Sequence, residues 1–228
     1  MRAPRQMPIA MTLPADHALE SFITAPCNAQ AKALILDGTW PAGKLVLTGP
    51  EGAGKTHLLQ IWASRTGATV LHPRDLAKAD LTALADQGAV ALDNASDLAG
   101  ARDLETAAFH LHNMLAERQG RLLLAARMPA RDWGVSLPDL VSRLQASAHV
   151  SLAGPDDTLL AAVLTKLFAD RQVRIPDNLI PFLLPRMERS LAGAQAIVAQ
   201  LDAEALARKK PISRTLAADV MQSSFDLD

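Results

Sequence analysis

Gly49, Gly54, Lys55 and Thr56 stand at the spacing G-x-x-x-x-G-K-[ST], a pattern suited to holding polyphosphate. Pro50, Glu51, Gly52 and Ala53 fill a loop whose backbone N–H groups can turn inward. Gly52 and Gly54 keep that loop free of Cβ atoms where backbone must approach the ligand. Lys55 would reach the β- and γ-phosphates, and the Thr56 hydroxyl would sit on Mg²⁺. His57 follows on the first helical turn, where a place beside the nucleotide and a plain helix position are both open. The second chemical element is Asp93, which closes the apolar run Ala89-Val90-Ala91-Leu92. A carboxylate at the end of a buried strand is the Walker B pattern, and Asp93 would hold the water shell of Mg²⁺ from across a sheet.

A phosphate loop needs a strand before it and a helix after it. Leu45-Val46-Leu47 reads as the strand, and Thr56 to Arg65 as the helix, with Leu58, Leu59, Ile61 and Trp62 to bury. Before them, Ala29 to Leu36 predicts a short helix with Asn28 as its N-cap and Asp37-Gly38 as its end. Ala68 to Leu71 is a second strand, and Pro73 starts a helix that runs toward Ala85. Ala101 to Gln119 predicts a long helix, with Leu104, Ala107, Ala108, Leu111 and Leu115 as its apolar stripe. Leu122 to Ala126 and Ala148 to Leu152 are further strands, separated by a helix from Leu137 to Leu144. Five apolar strands alternating with helices predict an α/β fold, a parallel sheet covered on both faces. Beyond Gly154-Pro155 the strands stop, and 156–171, 176–189, 190–208 and 213–221 read as helices opened by Asp, Ser or Pro. The expected organisation is an N-terminal peptide over 1–15, a nucleotide-binding α/β domain over 16–154 and a small all-α lid domain over 155–228.

Composition narrows the partners. The 228 residues are 49% hydrophobic, enough for a packed core, and Lys plus Arg number 23 against 24 Asp plus Glu. A net charge of −1 provides no long-range pull toward DNA or an anionic membrane. Cys27 is the single cysteine, which suits a reducing cytosol, and no apolar run approaches the ~20 residues of a membrane span. A cytoplasmic protein is expected.

Residues 1 to 15 carry Pro4, Pro8 and Pro14 without a helical period. In an extended peptide Met7, Ile9 and Met11 would point the same way behind Gln6, which fits either an unstructured leader or a ligand for a partner's groove. His110 and His112 lie two apart on a helix and cannot share a metal on one face. Arg208-Lys209-Lys210 with Arg214 is a basic run, readable as a solvated linker or as a DNA contact.

Together these motifs resemble the AAA+ module of the family of the bacterial replication initiator DnaA. Gly54-Lys55-Thr56-His57-Leu58-Leu59 is similar to its phosphate loop, and Ala108 to Leu115 to the helix after its Walker B strand. Leu137-Pro138-Asp139-Leu140-Val141-Ser142-Arg143-Leu144 is similar to its box VII, where the arginine finger lies. Asp93-Asn94, the Leu-Pro-Asp-Leu form of box VII and the glutamine-led peptide most resemble the Hda type, the family's short regulatory members. The resemblance covers residues 6 to 222. It implies ADP or ATP with Mg²⁺ as cofactors, and DnaA and the DNA polymerase sliding clamp as partners. Gln6, Met7, Ile9 and Met11 would bind the clamp, and Arg143 would act as a finger in trans on DnaA-bound ATP. Met7 and Ala10 stand where the family usually has Leu and Pro. Self-association is allowed, and no sequence-specific DNA-binding domain follows.

The chain's own hydrolytic apparatus reads as weakened. Asn94 replaces the acid that can orient water after Walker B, Ala125 and Ala126 stand where a polar sensor is expected, and the second sensor arginine aligns with Ala192. Arg189 lies three residues earlier. The expectation is nucleotide binding with very slow hydrolysis. Two other readings compete: a helicase-loader-like or DNA-remodelling ATPase, and a small-molecule kinase, which would need a lid offering several arginines.

Overall fold

The computed structural model describes residues 22–225, and the 6–11 peptide lies outside them. Two compact units divide these residues at 159/160.

In the first unit, β1 (Lys44–Thr48), β2 (Thr69–Leu71), β3 (Ala89–Leu92), β4 (Arg121–Ala126) and β5 (Ala148–Ser151) form one sheet in the order β2-β3-β4-β1-β5. Every pairing is parallel. Side chains alternate between faces along a strand. In the inner strands β1, β3 and β4 both faces are covered, which is why 45–47, 89–92 and 122–126 are apolar, whereas the edge strand β5 carries exposed His149 and Ser151. Val46, Val90, Leu92, Leu122 and Leu124 pack on one side with Leu111 and Leu115 of α4 (Arg102–Glu117) and with Leu140 and Leu144 of α5 (Pro138–Ala146). Leu45, Leu47, Ala91, Leu123 and Ala125 pack on the other with Ile35 of α1 (Pro26–Asp37) and with Leu58, Leu59, Ile61 and Trp62 of α2 (Lys55–Thr66). All three tryptophans of the chain, Trp40, Trp62 and Trp133, are buried in this unit.

Local chemistry moves two elements of this unit from where the sequence puts them. α1 starts at Pro26, and Asn28 is its third residue, its Oδ1 accepting from the Ala25 N–H at 2.8 Å. Asn28 therefore caps backward from inside the helix, because Pro26 supplies the preset first-turn φ. The helix expected from Pro73 to Ala85 is instead a 3₁₀ segment, Pro73–Lys78, followed by α3 (Leu81–Asp86). Asp80 breaks it by accepting from both Thr82 N–H and Ala83 N–H at 3.0 Å, a cap that requires non-helical backbone.

The second unit is all helical: α6 (Asp157–Asp170), α7 (Leu179–Leu183), α8 (Leu191–Arg208) and α9 (Arg214–Phe225). Asp156, Ser190 and Ser213 cap α6, α8 and α9 by accepting from Leu159, Gly193 and Leu216 N–H. The helix expected over 176–189 shrinks to the five residues of α7, flanked by Pro176 and Pro185, which cannot donate in a helical ladder. Leu160, Leu164, Phe168, Leu179, Leu183, Val198 and Leu201 form the separate core of this unit.

Candidate functional site

β1 lies between β4 and β5 in the sheet, so the loop leaving its C-terminal end opens where connections diverge to either side, a common place for ligands in such sheets. Gly49 begins that loop. A Cβ built there would lie 2.3 Å from the Leu152 carbonyl oxygen, so no larger residue fits. Gly52 and Gly54 take φ of +72° and +96°, left-handed values that glycine adopts without strain. Ala53 is buried beneath the loop, and Gly54 is the N-cap of α2. The result is a cradle ending on a helix N-terminus, which suits an anion.

The Lys55 ammonium folds back and donates to the Gly49 and Pro50 carbonyls at 2.8 Å each. Burial pulls its pKa down, with Arg127 adding to that effect and Asp93 and Glu51 opposing it. The Thr56 hydroxyl donates to Asp93 Oδ2 at 2.7 Å. The other Asp93 oxygen accepts from the Asn94 N–H at 3.0 Å, and Asn94 itself is left-handed at φ +53°. Sequence motifs 37 residues apart therefore meet. A hydroxyl and a carboxylate at this distance can share an octahedral cation whose remaining ligands are water and phosphate oxygens. Among the described residues no group of three His, Cys, Asp or Glu side chains could hold a metal ion unaided.

Around this centre the side chains differ in their placing. Glu51 points to Arg127, 2.8 Å away, at the open edge of the loop. The His57 ring meets Phe22 edge-on with centroids 5.6 Å apart. Ala125 and Ala126 are fully buried in β4 and offer no polar group. Arg127, the next residue, does offer one; sequence reasoning stopped at the two alanines and passed over it. Ala192 is the second residue of α8 and carries no hydrogen-bonding side chain.

Arg143 sits in the last turn of α5, exposed. Its guanidinium makes no hydrogen bond or ion pair among the described residues, not even with Asp139 one turn earlier on the same helix. What holds α5 is Glu105 of α4, which is fully buried. Its carboxylate accepts from Ser136 N–H, Ser136 Oγ–H, Leu137 N–H and Gly100 N–H at 2.8–3.2 Å. Burial alone would raise its pKa; the hydrogen bonds outweigh that and hold it below the ordinary carboxylate value. Nothing in the sequence marked Glu105, a single acid on an amphipathic helix.

No protein-family model matches the chain. Its backbone is similar to that of domain III of the replication initiation protein DnaA from Thermotoga maritima, with a TM-score of 0.79 at 18% identity, over 92% of this chain and 98% of that one. DnaA from Aquifex aeolicus, solved with AMPPCP bound, is similar with a TM-score of 0.69 at 20% identity, over 81% of this chain and 64% of that one. The RuvB Holliday junction branch migration motor of Thermotoga maritima follows at 0.71 and 19%, over 91% and 72%. The chain has the fold of DnaA domain III. The likeness at these identities is one of architecture: a five-stranded parallel sheet with helices, followed by a helical C-terminal part. Within this fold the Thr56–Asp93 contact joins the end of β3 to the first turn of α2. No described helix is long and apolar enough to cross a membrane.

Proposed function

We propose that this chain is an adenine-nucleotide-binding AAA+ regulator of replication initiation, tethered to the sliding clamp and promoting hydrolysis of ATP held by DnaA. The observation that carries the reading is Arg143, an exposed guanidinium that makes no hydrogen bond or ion pair among the described residues, on a helix anchored by a buried carboxylate. A cation presented in that way is available to a phosphate held by another protein, where an arginine finger can add ~10³ to 10⁵ in rate.

The chain's own loop would bind and position. Lys55 exchanges the Gly49 and Pro50 carbonyls for phosphate oxygens, the N–H groups of the loop and of α2 supply further donors, and Thr56 and Asp93 orient Mg²⁺ and its waters. Bound Mg²⁺ would supply positive charge to offset that of the phosphates. Asn94 cannot accept a proton from water, and β4 ends on Ala125 and Ala126, so turnover by the chain alone is expected to be slow. Gln6, Met7, Ile9 and Met11 would provide the clamp contact.

The test is reconstitution. DnaA loaded with ATP is mixed with this protein and clamp on DNA, and ATP turnover is followed with and without residues 1–12. Acceleration that needs both the clamp and the N-terminal peptide is expected; no acceleration overturns the reading. The RuvB likeness favours a second reading, a DNA-remodelling ATPase. Salt-dependent binding of single-stranded or branched DNA by the isolated protein, with a turnover near ~1 s⁻¹, would select it instead.

A further inference from the structure

Charge is not spread evenly along the chain. Residues 160–225 carry nine Lys and Arg against six Asp and Glu, whereas 22–159 carry twelve against fourteen. In the helical unit two of the cations gather at one ring, that of Phe182 in α7. The Arg186 guanidinium carbon lies 4.3 Å from its centre, and that of Arg214, the first residue of α9, lies 5.0 Å from it. Two like charges held so close repel each other. Neither forms an ion pair among the described residues. Arg186 gives one N–H to the Phe182 carbonyl at 3.0 Å, and the Arg214 guanidinium makes no hydrogen bond among the described residues. Nearby acids are turned elsewhere: Glu188 accepts from Ser190 Oγ–H at 2.7 Å, and Glu204 and Asp219 hold Arg208. Lys209 and Lys210, in the connection that leads to Arg214, are exposed.

We propose that Phe182, Arg186 and Arg214, extended by Lys209 and Lys210, form a contact site for the phosphodiester backbone of duplex DNA, gripped without regard to sequence. Packing against the ring holds each guanidinium in place and leaves N–H edges for phosphate oxygens. An anion beside the pair relieves the repulsion that the protein itself leaves uncompensated. Four cations on one helical unit suit a polyanion, because phosphates repeat along a duplex and each one met by a cation releases counterions. Guanidinium groups already lie over the Phe182 ring, so it is not an open platform for an unpaired base, as a single-strand groove would need. Backbone contacts of this kind position a protein on DNA and carry no base information. The site lies wholly within the helical unit and uses none of the residues of the phosphate loop or of α5.

Fluorescence anisotropy of the full chain with a labelled mixed-sequence duplex, at salt from about 50 to 200 mM, tests the site. The wild type should bind, with log K falling against log[salt] by about 0.9 for each phosphate contact. The double variant Arg186→Gln with Arg214→Gln should bind about tenfold more weakly at ~0.1 M salt, with a slope shallower by about 2. Phe182→Leu keeps every charge and an apolar side chain but removes the ring; it should weaken binding about threefold and leave the slope unchanged. Both arginines are exposed, so the helical circular dichroism melt of the double variant should match that of the wild type. A wild type that does not bind duplex, a double variant with unchanged affinity and slope, or Phe182→Leu at wild-type affinity would overturn the proposal. Tighter binding of the single strand would overturn it too, as would displacement of duplex by polyglutamate at equal charge, which would assign the patch to an acidic protein. ATP turnover is read separately, so the regulator reading stands or falls independently of these outcomes.

Discussion

The Thr56 hydroxyl lies 2.7 Å from Asp93 Oδ2, which ties the first turn of α2 to the end of β3. The two groups meet at the position where a nucleotide-borne cation would share them. Mg²⁺ should therefore strengthen nucleotide binding by the wild type, and Thr56→Ala or Asp93→Asn should lose most of that gain. Titrations with Mg²⁺ and with a chelator should show a loss of about 10- to 100-fold in the metal-dependent part of the affinity. Equal metal dependence in the variants would mean that the contact is only structural.

Gly49→Ala places a methyl group 2.3 Å from the Leu152 carbonyl oxygen, whose own N–H is held by the Thr48 carbonyl at 2.7 Å. Neither strand end can yield without breaking the β1–β5 edge. A destabilisation of about 1–3 kcal/mol is expected in chemical denaturation, together with loss of nucleotide binding.

Arg143→Ala should separate stability from regulation. An exposed side chain with no hydrogen bond or ion pair among the described residues contributes within about 0.5 kcal/mol to folding, so the melting curve should not move. Stimulation of DnaA-bound ATP turnover should fall by a factor of ~10³ or more, while clamp binding is retained. Retained stimulation would overturn the finger reading.

Two buried groups predict a loss of stability in acid. Burial, with the charges of Lys44 and Arg143 adding to it, pushes the His112 pKa down to about 4 from 6.5. Between those values the unfolded chain binds a proton that the native chain does not, so stability should fall as pH drops from 6.5 to 4. Each pH unit of that window corresponds to roughly 1.4 kcal/mol at most. The Glu105 carboxylate, lowered by its hydrogen bonds, contributes stability above 4.5 that is lost below it. Denaturant melts of His112→Leu should be flatter through the upper window, and those of Glu105→Gln through the lower. Parallel acid slopes in wild type and variants would remove both groups as the cause.

The sheet was legible because its inner strands β1, β3 and β4 carry continuous apolar runs bounded by helix signals, and strands buried on both faces must read that way. Lys55, Thr56 and Asp93 were legible because their chemistry fixes their spacing. What escaped depends on contacts between segments far apart in sequence. Arg127 meets Glu51 because β4 is the parallel neighbour of β1, a pairing no local pattern encodes. Lys44 begins β1 as an ordinary charged residue, yet it is buried, donates to the Ala42 and Gly120 carbonyls at 2.9 Å and has its pKa pushed down by burial to about 8. The short α7 escaped for a simpler reason: prolines open helices as readily as they end them, and position alone does not say which.

The confinement of Trp40, Trp62 and Trp133 to the sheet unit gives the chain an asymmetric optical signature, since the sequence contains no tyrosine. Trp40 and Trp62 flank Arg121, whose guanidinium lies 3.9 Å and 5.4 Å from their ring centres. Ultraviolet emission therefore reports the melting of one unit and is dark to the other, whereas helical circular dichroism sees both. Superposition of the two signals in a single denaturation would mean that sheet and helices unfold as one cooperative body. Separation would expose a helical unit that opens while the nucleotide cradle is still intact.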